Sequence, residues 1–281
     1  MAINKVIFVL IHLVLLCLNV KSQISTDCGD LPAKQIVDSC PEAKIVNIFN
    51  YSNFRLKNNY KIPIEIFELK ELEELHIKNL PVKTIPKEIQ NLVKLNWLHF
   101  SNCRISYLPH EISLIDSLLS LHVIDCRLKS IPRSIVKIKS LRSISVQGNK
   151  GLDYQVLFND LKNTNVIQVN FGHKSLKNVD TSIISLQNLE YINICNSNNL
   201  DFLSTIQTTN QLKNLKKLQF NNCKIRSKDF KQLKKIRPNV KLQFVNCKTP
   251  KNAINELKLV LKNTNEVIIG YDFKPKRYGS F

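Results

Sequence analysis

The sequence predicts an α/β solenoid, with short parallel strands stacked along one face and helical or irregular segments behind them. Three observations predict it. An apolar pattern recurs every 23 residues through the first half of the chain. Within each copy the apolar spacing passes from period two to helical spacing. A proline stands at the changeover. The composition is compatible: 281 residues, 43% of them hydrophobic, can form a sizeable core and are too apolar for wholesale disorder. Glycine is scarce, at 6 residues, which counts against collagen-like and glycine-rich phosphate-loop readings. Beyond residue 22 there is no long apolar run of the length a membrane span needs.

Residues 1–22 read as a secretory leader. Lys5 supplies the charge, Val6 to Val20 the apolar stretch, and Val20-Lys21-Ser22 a tolerated cleavage site before Gln23. The competing reading is an uncleaved anchor helix, for which the stretch is short. Cys17 follows Leu15-Leu16 and lacks the small preceding residue that lipid attachment needs. The expected location is secreted, periplasmic or extracellular. Cleavage would leave seven of the 8 cysteines and lower the net charge from +19 to +17. An odd count implies at least one thiol that is unpaired or shared between chains. Residues 23–42 read as an N-terminal cap. Cys28 and Cys40 flank a short helical candidate, Leu31 to Val37, and a disulfide between them would close the cap in an oxidising compartment. The alternative is two free thiols.

The repeats follow, over residues 43–272. Leu72-x-x-Leu75-x-Ile77-x-x-Leu80-x-Val82-x-x-Ile85-Pro86 is one copy. Leu95-x-x-Leu98-x-Phe100-x-x-Cys103-x-Ile105-x-x-Leu108-Pro109 is the next. Leu118-x-x-Leu121-x-Val123-x-x-Cys126-x-Leu128-x-x-Ile131-Pro132 follows, and then Leu141-x-x-Ile144-x-Val146-x-x-Asn149. An irregular first copy starts near Ala43, with Val46 and Ile48. Weaker copies start at Thr164, Leu189, Leu215, Asn239 and Thr264, at intervals of 25, 26, 24 and 25. About ten repeats result. Leu75 and Ile77 face inward while His76 faces out. Pro86, Pro109 and Pro132 sit where a missing N–H costs little at the start of a helical turn. Ile89, Leu92 and Leu95 close the same core from behind. One copy cannot bury its apolar face, whereas stacked copies bury a continuous one.

This pattern resembles the leucine-rich repeat family, in its 23-residue, proline-bearing form. The resemblance implies a horseshoe with a parallel sheet on its concave face and helical or irregular convex segments. By fold-level analogy it implies a protein-interaction scaffold. After Asn149 the proline disappears from its position and the copies lengthen. More helical backs are expected there, such as Ser227 to Ile236 and Asn252 to Leu261. Residues 273–281 form a basic tail.

Cys103, Cys126, Cys223 and Cys247 occupy the small-residue position after each strand and read as buried free thiols. Pairing of Cys103 with Cys126, or of Cys223 with Cys247, is geometrically conceivable because each pair lies on adjacent copies. Cys195 follows the inward pair Ile192 and Ile194 and is expected to project onto the concave face as an exposed thiol.

Adjacent parallel strands lie about 4.8 Å apart, so the copies can be read down columns. The outward position between the inward strand residues reads Asn47, His76, His99, His122, Ser145, Gln168, Asn193, Gln219 and Gln243. Its three consecutive histidines suggest either a solvated polar ladder or a metal- or pH-responsive patch. A neighbouring column reads Glu74, Trp97, Ser120, Ser143, Val166, Tyr191, Lys217 and Lys241. Trp97, the single tryptophan, reads either as an exposed binding anchor or as a ring lying flat over its neighbours. A rim column reads Arg104, Arg127, Lys150, His173, Asn198, Lys224 and Lys248. The charge is uneven: residues 201–281 hold 18 basic and 5 acidic side chains.

No H-E-x-x-H, G-x-S-x-G, Walker or EF-hand pattern occurs, so no catalytic residue, resident metal or cofactor is expected. The sequence therefore points to a non-enzymatic extracytoplasmic scaffold. A protein ligand is expected on the concave face at His76, Trp97, His99, Ser120, His122, Asp125 and Tyr191. The alternative is acidic polysaccharide or another anionic surface on Arg104, Arg127, Lys150, Lys224 and Lys248. Nucleic acid is not expected. One sequon, Asn50-Tyr51-Ser52, matters only where exported proteins are glycosylated.

Overall fold

The computed structural model describes residues 23–27, 38, 41–49, 60–249 and 268–270. The expected leader, the Cys28 and Cys40 pair, the sequon at Asn50, the helical back over 252–261 and the tail over 273–281 lie outside the described residues. The chain divides into two compact units between Leu141 and Arg142.

In the first unit, strands β1 (Gln23–Asp27), β2 (Ile45–Phe49), β3 (Glu74–Lys78), β4 (Trp97–Ser101) and β5 (Ser120–Ile124) pair in chain order, all parallel. The strand at 23–27 carries no repeat pattern and was not read from the sequence. Leu75 pairs with Leu98 and Leu98 with Leu121, so the inward residues stack without slippage. Leu75, Ile77, Leu98, Phe100, Leu121 and Val123 are all fully buried. A one-residue slip would turn this apolar column to solvent, and that penalty holds the register.

The backs are 3₁₀ turns at Ile64–Glu68, Lys87–Asn91, His110–Leu114 and Arg133–Lys137. Each follows a proline in extended conformation: Pro63, Pro86, Pro109 and Pro132. A 3₁₀ turn leaves its first donors unused, so the ring's missing N–H is lost where it is not needed, while the proline carbonyl still accepts. The amides of Ile89, Ile112 and Ile135 donate to Pro86, Pro109 and Pro132 at 3.2, 3.3 and 2.9 Å. Ile89, Ile112 and Ile135 are themselves buried, closing the core as the helical spacing predicts.

In the second unit, β6 (Ser143–Ser145), β7 (Gln168–Phe171), β8 (Tyr191–Cys195), β9 (Lys217–Asn221), β10 (Lys241–Val245) and β11 (Ile268–Gly270) likewise pair in order and in parallel. Two backs here are α-helices, α1 (Tyr154–Leu161) and α2 (Phe202–Thr209). A third back is a 3₁₀ turn at Thr181–Ser185, and a fourth runs from Ser227–Asp229 into α3 (Phe230–Leu233), inside the expected helical back. In three of these backs an aspartate cap stands where the first unit has a proline. Asp153, Asp180 and Asp201 accept from the amides of Val156, Ser182 and Ser204 at 3.1, 2.8 and 3.2 Å.

The register corrects one copy. The copy read from Thr164 starts at Val166, because Gln168 pairs with Ser143 and Asn170 with Ser145. Val166 is buried, at 2% exposure, whereas Ile167 is half-exposed. Thr164 is used differently: its hydroxyl donates to Leu161 O at 2.7 Å and closes the end of α1. With that shift the start-to-start intervals from Leu141 become 25, 23, 26 and 24 residues. The 23-residue copy carries the five-residue 3₁₀ turn, and the two longest carry eight-residue α-helices.

Candidate functional site

In the first unit the outward strand positions bring four rings together. His76 pairs in register with His99, and His99 with His122. Their ring centroids are 5.6 Å apart at each step, tilted by 47° and 56°. Trp97 comes from the neighbouring column and stands edge-on to His76 and His122, at 5.5 and 5.4 Å. Its indole is half-buried and wedged among imidazoles, neither freely exposed nor lying flat over its neighbours. His76, expected outward and solvated, is only 8% exposed. Rings side by side on adjacent strands cover one another, which a single outward direction does not reveal. Glu74 Oε2 lies 2.9 Å from His76 Nε2. His76 Nδ1 and Trp97 Nε1 are buried and have no hydrogen-bond partner among the described residues.

Burial lowers the imidazole of His99 to about 3, with His122, Lys78 and His76 adding repulsion. Burial and then His76 lower His122 to about 4. Both rings are therefore neutral near pH 7. Neutral, part-desolvated rings suit an apolar or hydrogen-bonding contact better than an ionic one. The imidazoles follow one another along the sheet, tilted from ring to ring. Among the described residues no group of three or more His, Cys, Asp or Glu is placed to hold a metal ion.

Ser120 is half-buried beside Trp97 in the register. Asp125 lies past the end of β5 in a left-handed turn with φ 49°, at the edge and not among the rings. Partial burial raises its carboxyl. Tyr191 lies in the second unit, in register with Gln168 and Lys217.

That second strand face is chemically different. Its outward column runs Ser145, Asn170, Asn193, Gln219 and Gln243, and the neighbouring one Ser143, Gln168, Tyr191, Lys217 and Lys241. Asn170 Nδ2 donates to Ser145 Oγ at 2.6 Å, a rung between adjacent strands. Asn170 replaces Gln168 in the outward column, and Gln168 replaces Val166 in the neighbouring one. Burial and the adjacent Lys241 lower Lys217.

Of the rim residues, Arg127 is exposed and Arg104 half-exposed in the first unit; Lys150, Lys224 and Lys248 are exposed in the second. Lys224 and Lys248 are bridged in register. Cys103, Cys126 and Cys223 are buried free thiols, and Cys247 is a half-exposed one. Cys195 corrects an expectation: it is 4% exposed, not projecting. The chain turns under at the end of β8, where Ser197 Oγ donates to Cys195 O at 2.9 Å.

A further column escaped the sequence reading. Asn79, Asn102, Asp125, Asn196, Asn222 and Asn246 all have φ between 49° and 58°, and Gly148 takes φ 80°. Asn, Asp and Gly tolerate the left-handed region, so the strand ends abruptly there. Asn102 Nδ2 donates to Asn79 Oδ1 at 2.9 Å. The available signal was an Asn, Asp or Gly immediately before Leu80, Cys103, Cys126, Asn149, Ser197, Cys223 and Cys247.

No known family profile matches the sequence, and no curated protein matches it. Solved structures do. A TLR13–ssRNA13 complex aligns at TM-score 0.57 and 17% identity, over 89% of this chain and 37% of that one. An internalin of Listeria monocytogenes aligns at 0.49 and 13%, over 91% and 87%. A leucine-rich repeat protein of Leptospira interrogans aligns at 0.28 and 16%, over 88% and 89%. The fold of the chain is that of a leucine-rich repeat solenoid. No helix among the described residues is long and apolar enough to cross a membrane.

Proposed function

We propose that the chain is a non-enzymatic, extracytoplasmic scaffold that binds a protein partner through the strand face of its first unit. One observation carries the reading: the ring cluster of His76, Trp97, His99 and His122, with the buried Nδ1 of His76 and Nε1 of Trp97 left without partners. A buried polar atom without a partner is costly, and a partner's backbone or side chain would satisfy it. An aromatic centre is also the usual anchor of a protein interface. Ser120 extends the patch along the sheet, Asp125 marks its edge, and Tyr191 is the corresponding aromatic of the second unit. The leader expected at 1–22 supports the location, and the lack of catalytic motifs supports the non-enzymatic part.

The test uses immobilised full chain and two double variants, Trp97→Ala/His99→Ala and Arg104→Ala/Arg127→Ala, each exposed to the same extracellular protein fraction. Proteins held by the wild type and the arginine variant, but lost by the ring variant, support the reading. Equal retention by all three contradicts it.

A second reading has its own support, the exposed in-register lysines Lys224 and Lys248. With Lys150 in the same unit they would attract an acidic polysaccharide, as Arg104 and Arg127 by themselves would in the first unit. Late elution from a sulfated-polysaccharide column that collapses with salt would favour it.

A further inference from the structure

The cysteines after β9 and β10 form a pair that the binding reading does not use. Cys223 and Cys247 follow left-handed Asn222 and Asn246 at equivalent places in adjacent copies. The pairing around them is fixed on both sides. Asn221 pairs with Val245 before them, and Lys224 bridges Lys248 after them. The amide of Lys248 donates to Cys223 O at 2.9 Å. Register neighbours of parallel strands lie about 4.8 Å apart, inside the Cα separation a disulfide spans. Cys247 Sγ donates to Phe220 O at 3.3 Å, and each thiol shifts the ionisation of the other. They differ in access: Cys223 is fully buried, with Sγ 3.3 Å from Ile194 O, and Cys247 is half-exposed. Exposed lysines follow both.

We propose that Cys223 and Cys247 are a dithiol that closes to an inter-repeat disulfide by exchange with a small-molecule disulfide, Cys247 being the point of entry. Cys247 loses its proton, and its thiolate attacks one sulfur of the external disulfide. That S–S bond breaks, a mixed disulfide forms on Cys247, and one thiolate leaves. Cys223 then gives up its proton and attacks the Cys247 sulfur, expelling the second thiolate. Two protein thiols are oxidised, one external disulfide is reduced to two thiols, and two neighbouring copies become tied. The assignment of entry agrees with the chemistry of the pair: the neighbouring Cys223 holds the Cys247 thiol below its ordinary range, and Cys223 itself is pushed up. Cys103 and Cys126 take the equivalent places in the first unit, but both are buried, at 5% and 8% exposure, so this pair reacts more slowly.

Trypsin separates the two sulfurs cleanly, because Cys223 falls in the peptide Leu218 to Lys224 and Cys247 in Leu242 to Lys248. The reduced full chain is incubated with glutathione disulfide, quenched and digested without reduction. The expected result is loss of both thiols to a cross-link between these peptides, reversed by dithiothreitol. Cys223→Ser is expected to accumulate glutathione on Cys247, whereas Cys247→Ser leaves Cys223 unmodified. Circular dichroism confirms that each variant is folded. A cross-link that forms only in urea would overturn the proposal, as would both peptides staying reduced in the folded chain. Equal modification of Cys223 in Cys247→Ser, or closure of Cys103 with Cys126 at the same rate, would overturn the assignment of entry.

Discussion

The two units have the same core and different faces. Inward columns of leucine, isoleucine, valine and phenylalanine run through both, fully buried. Outward, the first unit presents imidazoles and an indole, and the second presents amides, a tyrosine and two in-register lysines. The backs differ in step: proline-led 3₁₀ turns in the first unit, aspartate-capped helices and turns in the second. The architecture thus constrains one strand position in two and leaves the alternate one to chemistry. Function is to be sought where equivalent positions diverge.

The sharpest challenge to the shared core is truncation in both units. Phe100→Ala and Phe220→Ala each remove a fully buried ring, and each is expected to cost about 3–5 kcal/mol by urea denaturation. A cost below about 1 kcal/mol at one site would show that the cores are not equivalent. Next comes a constraint peculiar to the second unit. At Gly172, φ is +120° and an added Cβ would collide with the backbone oxygen of Cys195. Gly172→Ala is therefore expected to cost about 1–3 kcal/mol. Asn102→Gly, in the left-handed column, should change stability by only a few tenths by the same measurement, because glycine tolerates that backbone.

The faces differ in their response to acid. His99 and His122 are held neutral in the fold, with values lowered to about 3 and about 4, while in the unfolded chain each takes a proton near 6.5. Below pH 6.5 the unfolded state binds more protons, so stability falls as pH drops from 6.5 towards 4. The slope reaches at most about 1.4 kcal/mol per pH unit for each histidine. Urea midpoints measured between pH 7 and 4 should decline in the wild type and flatten in His99→Gln/His122→Gln. A modest effect is expected at the backs. Asp153→Ala removes the cap on α1 and should cost about 1 kcal/mol, lowering the melting temperature by a few degrees.

Within the first unit, residues 72–141 were legible almost residue by residue. Its 23-residue period, its prolines and its leucines all point to one register, and the pairs Asn47–His76–His99–His122 follow it. The second unit was legible in kind but not in phase. Val166, Ile167 and Val169 are all β-branched and apolar, so two phases satisfy the strand pattern, and only the end of α1 at Thr164 decides between them. Cys195 was misplaced for a related reason: alternation holds while the chain is extended, and the chain turns inward as β8 ends. At the candidate site, the columns identified who stands beside whom. They did not reveal how far adjacent rings bury one another, because burial depends on side-chain volume across three strands at once.

The most direct measurement is an NMR titration of the imidazole Cε1–H signals of the full chain, assigned with His99→Gln and His122→Gln and followed together with emission of the single tryptophan, Trp97. The account predicts that His99 and His122 stay neutral from pH 7 to 5, with Trp97 emission unchanged over that range. Titration of both imidazoles near 6.5, with Trp97 emission changing in step, would show a solvated ladder in place of a packed ring cluster and would contradict the account.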